Sequence, residues 1–203
     1  MESYYSQFGE DKWLCDNINL PSKGFFIDVG AADGITNSNT FLLEKRGWIG
    51  VCIDPDPRHS KKLLSSRSKV ELCAIGAQNS KAKFFLHNTR PTRSSIYQLN
   101  IDDYQSCIEV PIYTLETILK KHNISTIDLL DIDVEGAELI VWQSFNPEEY
   151  EPKIIIIEYA DDRPNSHKSL IIKTLADNQY NLVHQTCANL IFLNNKWVSK
   201  LLK

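Results

Sequence analysis

The most constraining stretch of this chain lies at residues 25–34, where an apolar run, Phe25, Phe26, Ile27 and Val29 around Asp28, breaks into a turn carrying Gly30, Asp33 and Gly34. The spacing Asp28-x-Gly30-x-x-x-Gly34 predicts a buried strand that delivers its end to a ligand, with glycines where backbone approaches the bound molecule without a Cβ between them. The acids then restrict the ligand. A dinucleotide would rest its pyrophosphate on this turn, and Asp28 and Asp33 would oppose it with two negative charges.

A ligand with a cationic head suits such a turn better. S-adenosylmethionine carries an ammonium and a sulfonium, and its ribose needs a second acid further along the chain. Asp54 stands 26 residues after Asp28, at the end of the next strand-like run, close to the offset at which such an acid grips ribose hydroxyls. Capping of the turn formed by Asp54, Pro55, Asp56 and Pro57 is the competing role for that residue. A nicotinamide-dependent oxidoreductase is disfavoured by the missing third-position glycine and by the acids around the turn.

The other elements agree with an α/β chain. Trp13, Leu14 and Ile18 have helical spacing over residues 10–19, and Pro21 and Gly24 break that helix before the first strand at residues 25–29. Ser38, Asn39 and Thr40 precede Phe41, Leu42 and Leu43 as a capped helix, closed by Arg46 and Gly47. Strands are expected at residues 48–53, 70–75, 81–86 and 110–113, then a helix with Leu115, Ile118 and Leu119 on one face. A strand from Ile127 ends in Asp131, Asp133 and Glu135 and is followed by a helix containing Leu139, Ile140 and Phe145. Four consecutive isoleucines at residues 154–157 suit only a strand buried on both faces. Leu170, Ile171 and Leu175 mark a further helix, and residues 190–193 a late strand. Alternating strands and helices imply a mostly parallel sheet covered on both sides. Residues 87–109 are mostly polar, and a connection that long is the first candidate for an acceptor-binding flap.

At 203 residues, with 42% hydrophobic and 24% charged side chains, the chain has the size of one well-cored domain, expected to span residues 1–203. A formal net charge of −4 argues against nucleic acid or an anionic membrane as the main partner. No apolar run approaches the ~20 residues that cross a bilayer, and the first residues lack the features of a signal peptide, so a cytoplasmic location is expected. The five cysteines are scattered without metal-ligand spacing, so neither a zinc site nor a disulfide framework is indicated, and Cys52 and Cys73 are expected in the core.

The chemistry is expected at the carboxyl ends of the strands, where ligands of open parallel sheets sit. Asp133 and Glu158 are the first candidates for catalytic acid–base work, and His87 and His167, in loops expected to overhang the cleft, are outside candidates. Asp133 and Glu158, with Asp161 or Asp162, could also form an oxygen-rich set for a divalent cation such as magnesium, or bind the ligand's own cationic group. Glu135 could equally cap the following helix, and Glu138 reads as solvated or structural. His59, His122 and His184 read as surface or packing residues. Arg90 and Arg93 could hold an anionic acceptor such as a sugar phosphate or nucleotide-sugar, or form a solvated basic loop.

The motifs at residues 6–11 (Ser-Gln-Phe-Gly-Glu-Asp), 26–34, 38–40, 47–50, 53–55, 114–115 and 127–138, with Ile157 and Glu158, together give a specific pattern. In these the chain resembles the FkbM-type S-adenosylmethionine-dependent methyltransferases over roughly residues 3–160. Two departures stand out: Asp54-Pro55 where the family more commonly has Glu-Pro, and Asp131 where it commonly has lysine. The resemblance implies a Rossmann-like class I methyltransferase fold with a mostly parallel seven-stranded sheet and helices on both faces. It implies methyl transfer to a hydroxyl, of a sugar in a glycan or of a polyketide-type metabolite. By the same resemblance Asp28, Gly30, Ala31 and the Gly34 turn would line the methionine end of the cofactor and Asp54 its ribose. Cys73 and Ala74 would flank the adenine, and Gln7, Ser38 and Asn39 would reach the cofactor's polar groups. The competing class is a non-catalytic module that keeps this fold but acts by binding a partner in glycan assembly; the strand-end acids count against it.

Overall fold

The computed structural model describes residues 2–96, 103–159 and 167–203. Its main element is a seven-stranded sheet in the order β3-β2-β1-β7-β8-β10-β9. β1 (Phe25–Val29) lies between β2 (Ile49–Ile53) and β7 (Leu129–Ile132), parallel to both, and β8 (Ile154–Glu158) continues the parallel set. β10 (Asn189–Asn194) runs antiparallel to β8 and to the edge strand β9 (Tyr180–Gln185). The mostly parallel, seven-stranded α/β sheet expected from the sequence is therefore present, with its reversal of strand order beside β1.

Burial explains these runs. All five residues of β8 are buried, and a fully buried isoleucine contributes roughly 1.5–3 kcal/mol relative to an exposed one. Alternate residues of each strand enter separate cores. Ile27, Val51, Leu130 and Ile155 pack with Leu115, Ile118 and Leu119 of α4 (Leu115–Lys121), Trp142 of α5 (Glu138–Gln143), and Ile171 and Leu175 of α7 (Lys168–Asp177). Phe26, Cys52, Leu129 and Ile156 pack with Leu14 of α1 (Glu10–Asn17), Leu43 of α2 (Phe41–Lys45) and Leu63 of α3 (Pro57–Ser66).

The segment expected as one strand over residues 70–75 is two. β3 (Val70–Glu71) ends the large sheet, whereas β4 (Ala74–Ile75) pairs with β6 (Tyr104–Tyr113) in a second sheet of order β4-β6-β5. β5 (Ser80–His87) runs antiparallel to β6 over its whole length. Ala74, Phe84, Val110 and Ile112 form a small core for this sheet. Residues 104–109, expected within the long polar connection, thus belong to a strand. The described remainder includes a single 3-10 turn at Pro91–Arg93 and the bridge between Ser95 and Phe85. Among the described residues no helix is long and apolar enough to cross a membrane.

Candidate active site

The turn after β1 is fixed by backbone first. The amides of Gly30 and Ala31 donate to the carbonyl of Ile53 on β2, at 2.9 and 3.1 Å, and the Asp133 amide donates to Val29 at 2.9 Å. Gly30 has φ +96°, and a Cβ on it would lie 1.7 Å from the Asp133 carbonyl oxygen. A Cβ on Gly34, φ +81°, would meet Ser66, Arg67 and Leu63 at 2.6–2.9 Å. The neighbouring strand and the end of α3 thus leave no room for a Cβ at either glycine. Gly30 still lines the cavity described below; Gly34 does not.

Asp33 is likewise turned to the turn itself. Its Oδ1 accepts the amides of Ile35 and Thr36 at 2.8 Å, and its Oδ2 accepts Lys62 Nζ at 2.6 Å. Partial burial opposes its charge, but Lys62 and the two amides outweigh this and hold its carboxyl well below the usual range. It is absent from the cavity wall, so its charge does not face the ligand as the sequence reading assumed.

A cavity of about 620 Å³ lies over the carboxyl ends of β1, β2, β7 and β8. Its wall includes Asp28, Gly30, Ala31, Ser38 and Asn39. Asp54, Cys73, Ala74 and Gln7 also lie on that wall, so of the expected cofactor set only Gly34 is not on it. Asp54 accepts the amides of Ala32 at 2.9 Å and Asp56 at 2.8 Å. The capping role and the cavity position therefore coincide in one carboxylate. Burial pushes it up to about 7 against those two hydrogen bonds. Cys73 is buried between β3 and β4, and burial raises its thiol to about 12.

Beneath this wall Thr40 Oγ1 donates to Asp28, and Arg67 Nη1 stands 3.8 Å from the same carboxylate. The Arg67 side chain is fully buried. It also donates to Glu44, the Gly34 carbonyl at 2.9 Å and Thr40 at 2.7 Å, and lies over the ring of Phe26. Burial raises the Asp28 carboxyl despite Arg67 and Thr40.

On the same cavity wall, Asp133, Glu135 and Glu158 bring carboxylate oxygens within 4.8 Å of one another. Glu135 takes a left-handed backbone, φ 59°, and α5 begins only at Glu138. The N-cap position of α5 is Ala137, without a side-chain cap bond; Glu138, which is buried, accepts the Gly136 amide on Oε1 at 2.8 Å, and burial pushes its carboxyl up to about 7. Burial and the charge of Asp133 raise Glu158 well above the ordinary glutamate value, while Arg93 works in the opposite direction. Asp161 and Asp162, expected to complete this set, lie outside the described residues.

Arg90 and Arg93 line the cavity together with Ser94 and Ile96. The segment is pinned by Ser95 Oγ donating to the Glu135 carbonyl at 3.0 Å, and by Arg58 donating to Ser94 Oγ at 2.6 Å and to the His87 carbonyl at 2.9 Å. His87 and His167 are not in the cavity wall. The His87 ring accepts the Thr89 and Arg90 amides at 3.3 and 3.1 Å, so it shapes the loop, and His167 precedes α7. His122 bonds Glu71 at 2.7 Å and His184 stacks on Trp13 at 4.6 Å, as packing residues would. His59, by contrast, does line the cavity. Sequence reading also missed Phe8, Phe84 and residues 187–189 of the wall, which come from the segment before α1, the small sheet, and the β9–β10 connection with the first residue of β10.

Comparison with solved structures gives distant likenesses. The chain is 12% identical to a chain of a fibrillarin/Nop5p complex, covering 86% of this chain and 74% of that one at TM-score 0.47. It is 14% identical to the Methanococcus jannaschii fibrillarin pre-rRNA processing protein, covering 88% and 70% at TM-score 0.44. For precorrin-6y C5,15-methyltransferase from Geobacter metallireducens GS-15 the identity is 10%, over 90% and 86%, at TM-score 0.45. No curated protein matches the chain. The family model of the methyltransferase FkbM domain matches residues 28–182, which include the β1 turn, Asp54 and the carboxylate trio. By that match the chain belongs to the FkbM methyltransferase domain family.

Proposed function

We propose that the chain is an S-adenosylmethionine-dependent O-methyltransferase whose acceptor is a hydroxyl of a sugar, in a glycan or a sugar-containing metabolite. The observation that carries the reading is that one cavity wall holds two chemically different groups. The β1 turn with Asp54 at the second strand is suited to a cationic amino acid head joined to a ribose. Asp133, Glu135 and Glu158, on the same wall as Arg90 and Arg93, are suited to orienting a hydroxyl.

The transfer is an in-line displacement. The acceptor oxygen attacks the methyl carbon, the carbon–sulfur bond breaks, and sulfur leaves as a neutral thioether while the hydroxyl proton passes to a base. Holding both partners in line removes much of the barrier. Asp133 is the proposed base, since burial and the Asp133 charge raise the Glu158 carboxyl beside it and disfavour its charged form. His87 and His167 are left without this role by their positions away from the wall. The same three carboxylates offer the hard oxygen ligands that suit magnesium, which would supply Lewis acidity to the hydroxyl.

Mass spectrometry of labelled methyl transfer onto sugars, nucleotide-sugars and glycans, with and without chelator, tests acceptor and metal together. Donor binding without methylation of any sugar would sink the acceptor assignment. Loss of transfer with chelator, restored by magnesium, is the outcome expected if the trio holds a cation.

A further inference from the structure

We infer that Asp131 binds the ammonium group of the methyl donor and is the countercharge for its amino acid end. This rests on the donor reading above. Asp28 and Asp131 are partners in register on the parallel strands β1 and β7, so their side chains leave the same face of the sheet. Both are 4% exposed. One protein cation serves this pair among the described residues: Arg67, 3.8 Å from Asp28, which also donates to Glu44. That guanidinium is shared by Asp28 and Glu44, and among the described residues no ion pair links it to Asp131.

The bonds of Asp131 show where its remaining capacity points. Oδ1 accepts Asn39 Nδ2 at 3.1 Å. Oδ2 accepts no hydrogen bond among the described residues, yet it is not among the sealed polar atoms, and Asp131 lines the cavity. A carboxylate oxygen that is buried with its residue but open to a cavity calls for a donor from the ligand, since leaving it unpaired costs the desolvation of that group. An ammonium has N–H groups to offer Oδ2. A sulfonium has none, and its methyl must face the acceptor.

Calorimetry on the full chain with S-adenosylmethionine, S-adenosylhomocysteine and methylthioadenosine tests the assignment, since the first two keep the ammonium and the third has neither cation. Asp131→Asn keeps the shape and the bond to Asn39. It is expected to weaken the first two ligands alike, by roughly 10- to 100-fold as for a lost charged hydrogen bond, and to leave methylthioadenosine unchanged. Equal binding by variant and wild type overturns the inference, as does weakening of S-adenosylmethionine alone, which would place Asp131 at the sulfonium, or of all three, which would mean a structural role. Failure of the wild type to bind any of them overturns the donor reading instead. A thermal melt of the ligand-free variant, expected no lower than wild type because one of two adjacent buried charges is gone, verifies folding. Asp131→Ser, with the same expected split among ligands, replaces it if the amide variant melts lower.

Discussion

Asp54 accepts two amides at the end of β2 while burial lifts its carboxyl to about 7. A raised carboxyl means that the folded chain holds a proton the unfolded chain has released above its ordinary value of 3.8. The stability tied to that proton is present below pH about 4 and is lost as pH rises through about 7. Relative to Asp54→Asn, the ligand-free wild type should therefore lose stability across that window, by a few kcal/mol at most at roughly 1.4 kcal/mol per pH unit. Denaturant unfolding of both proteins at pH 4 and pH 7.5 measures the difference; a constant gap would show that Asp54 is ionised throughout. At Asp133 the expected effect is kinetic. Asp133→Asn should keep donor affinity within a few-fold but lower turnover by ~10² or more, and normal turnover would remove it from the role of base.

At the scale of elements, the flap and the buried arginine carry separate predictions. Arg93→Ala should raise KM for phosphate-bearing acceptors and leave neutral sugars nearly unchanged, since Arg93 lines the cavity beside the acidic trio. Equal effects on both acceptor types would assign Arg93 to positioning Glu158. Arg67→Met leaves Asp28 and Glu44 buried or half-buried without their cation and should cost about 3–5 kcal/mol in urea unfolding.

What could be read from the sequence follows from how each element is buried. β1, β2, β7 and β8 are buried over most of their length, so their runs are apolar but for Asp28, Asp131 and Glu158, and the acids at 28, 54, 133 and 158 could be placed on the cavity side in advance. β9 alternates exposed Asn181 and Leu182 with half-buried Val183 and His184 at a sheet edge, and its polar composition hid it. β6 begins with Tyr104, Gln105 and Ser106, polar residues of a small sheet that a search for buried runs passes over. Arg67 carried no signal at all. Only the fold brings it from the end of α3 under Asp28.

For the whole molecule, the donor should act as a global stabiliser, because the cavity wall takes residues from five strands of the large sheet, from α3 and from the small sheet. At a concentration 100-fold above Kd the stabilisation is about 2.7 kcal/mol, and at this chain length that raises Tm by roughly 5–10 °C. Scanning fluorimetry with S-adenosylmethionine checks it, and no shift at millimolar donor would favour a binding module that has lost the cofactor. The two-sheet construction has a further consequence. Among the described residues no strand ladder joins the three-stranded sheet to the seven-stranded one. The segment bearing Arg90 and Arg93 follows the small sheet's β5. An evolving lineage can therefore lengthen, recharge or exchange that unit while the donor-binding strands keep every rung of their own ladders, so new acceptors become accessible by grafting rather than by refolding.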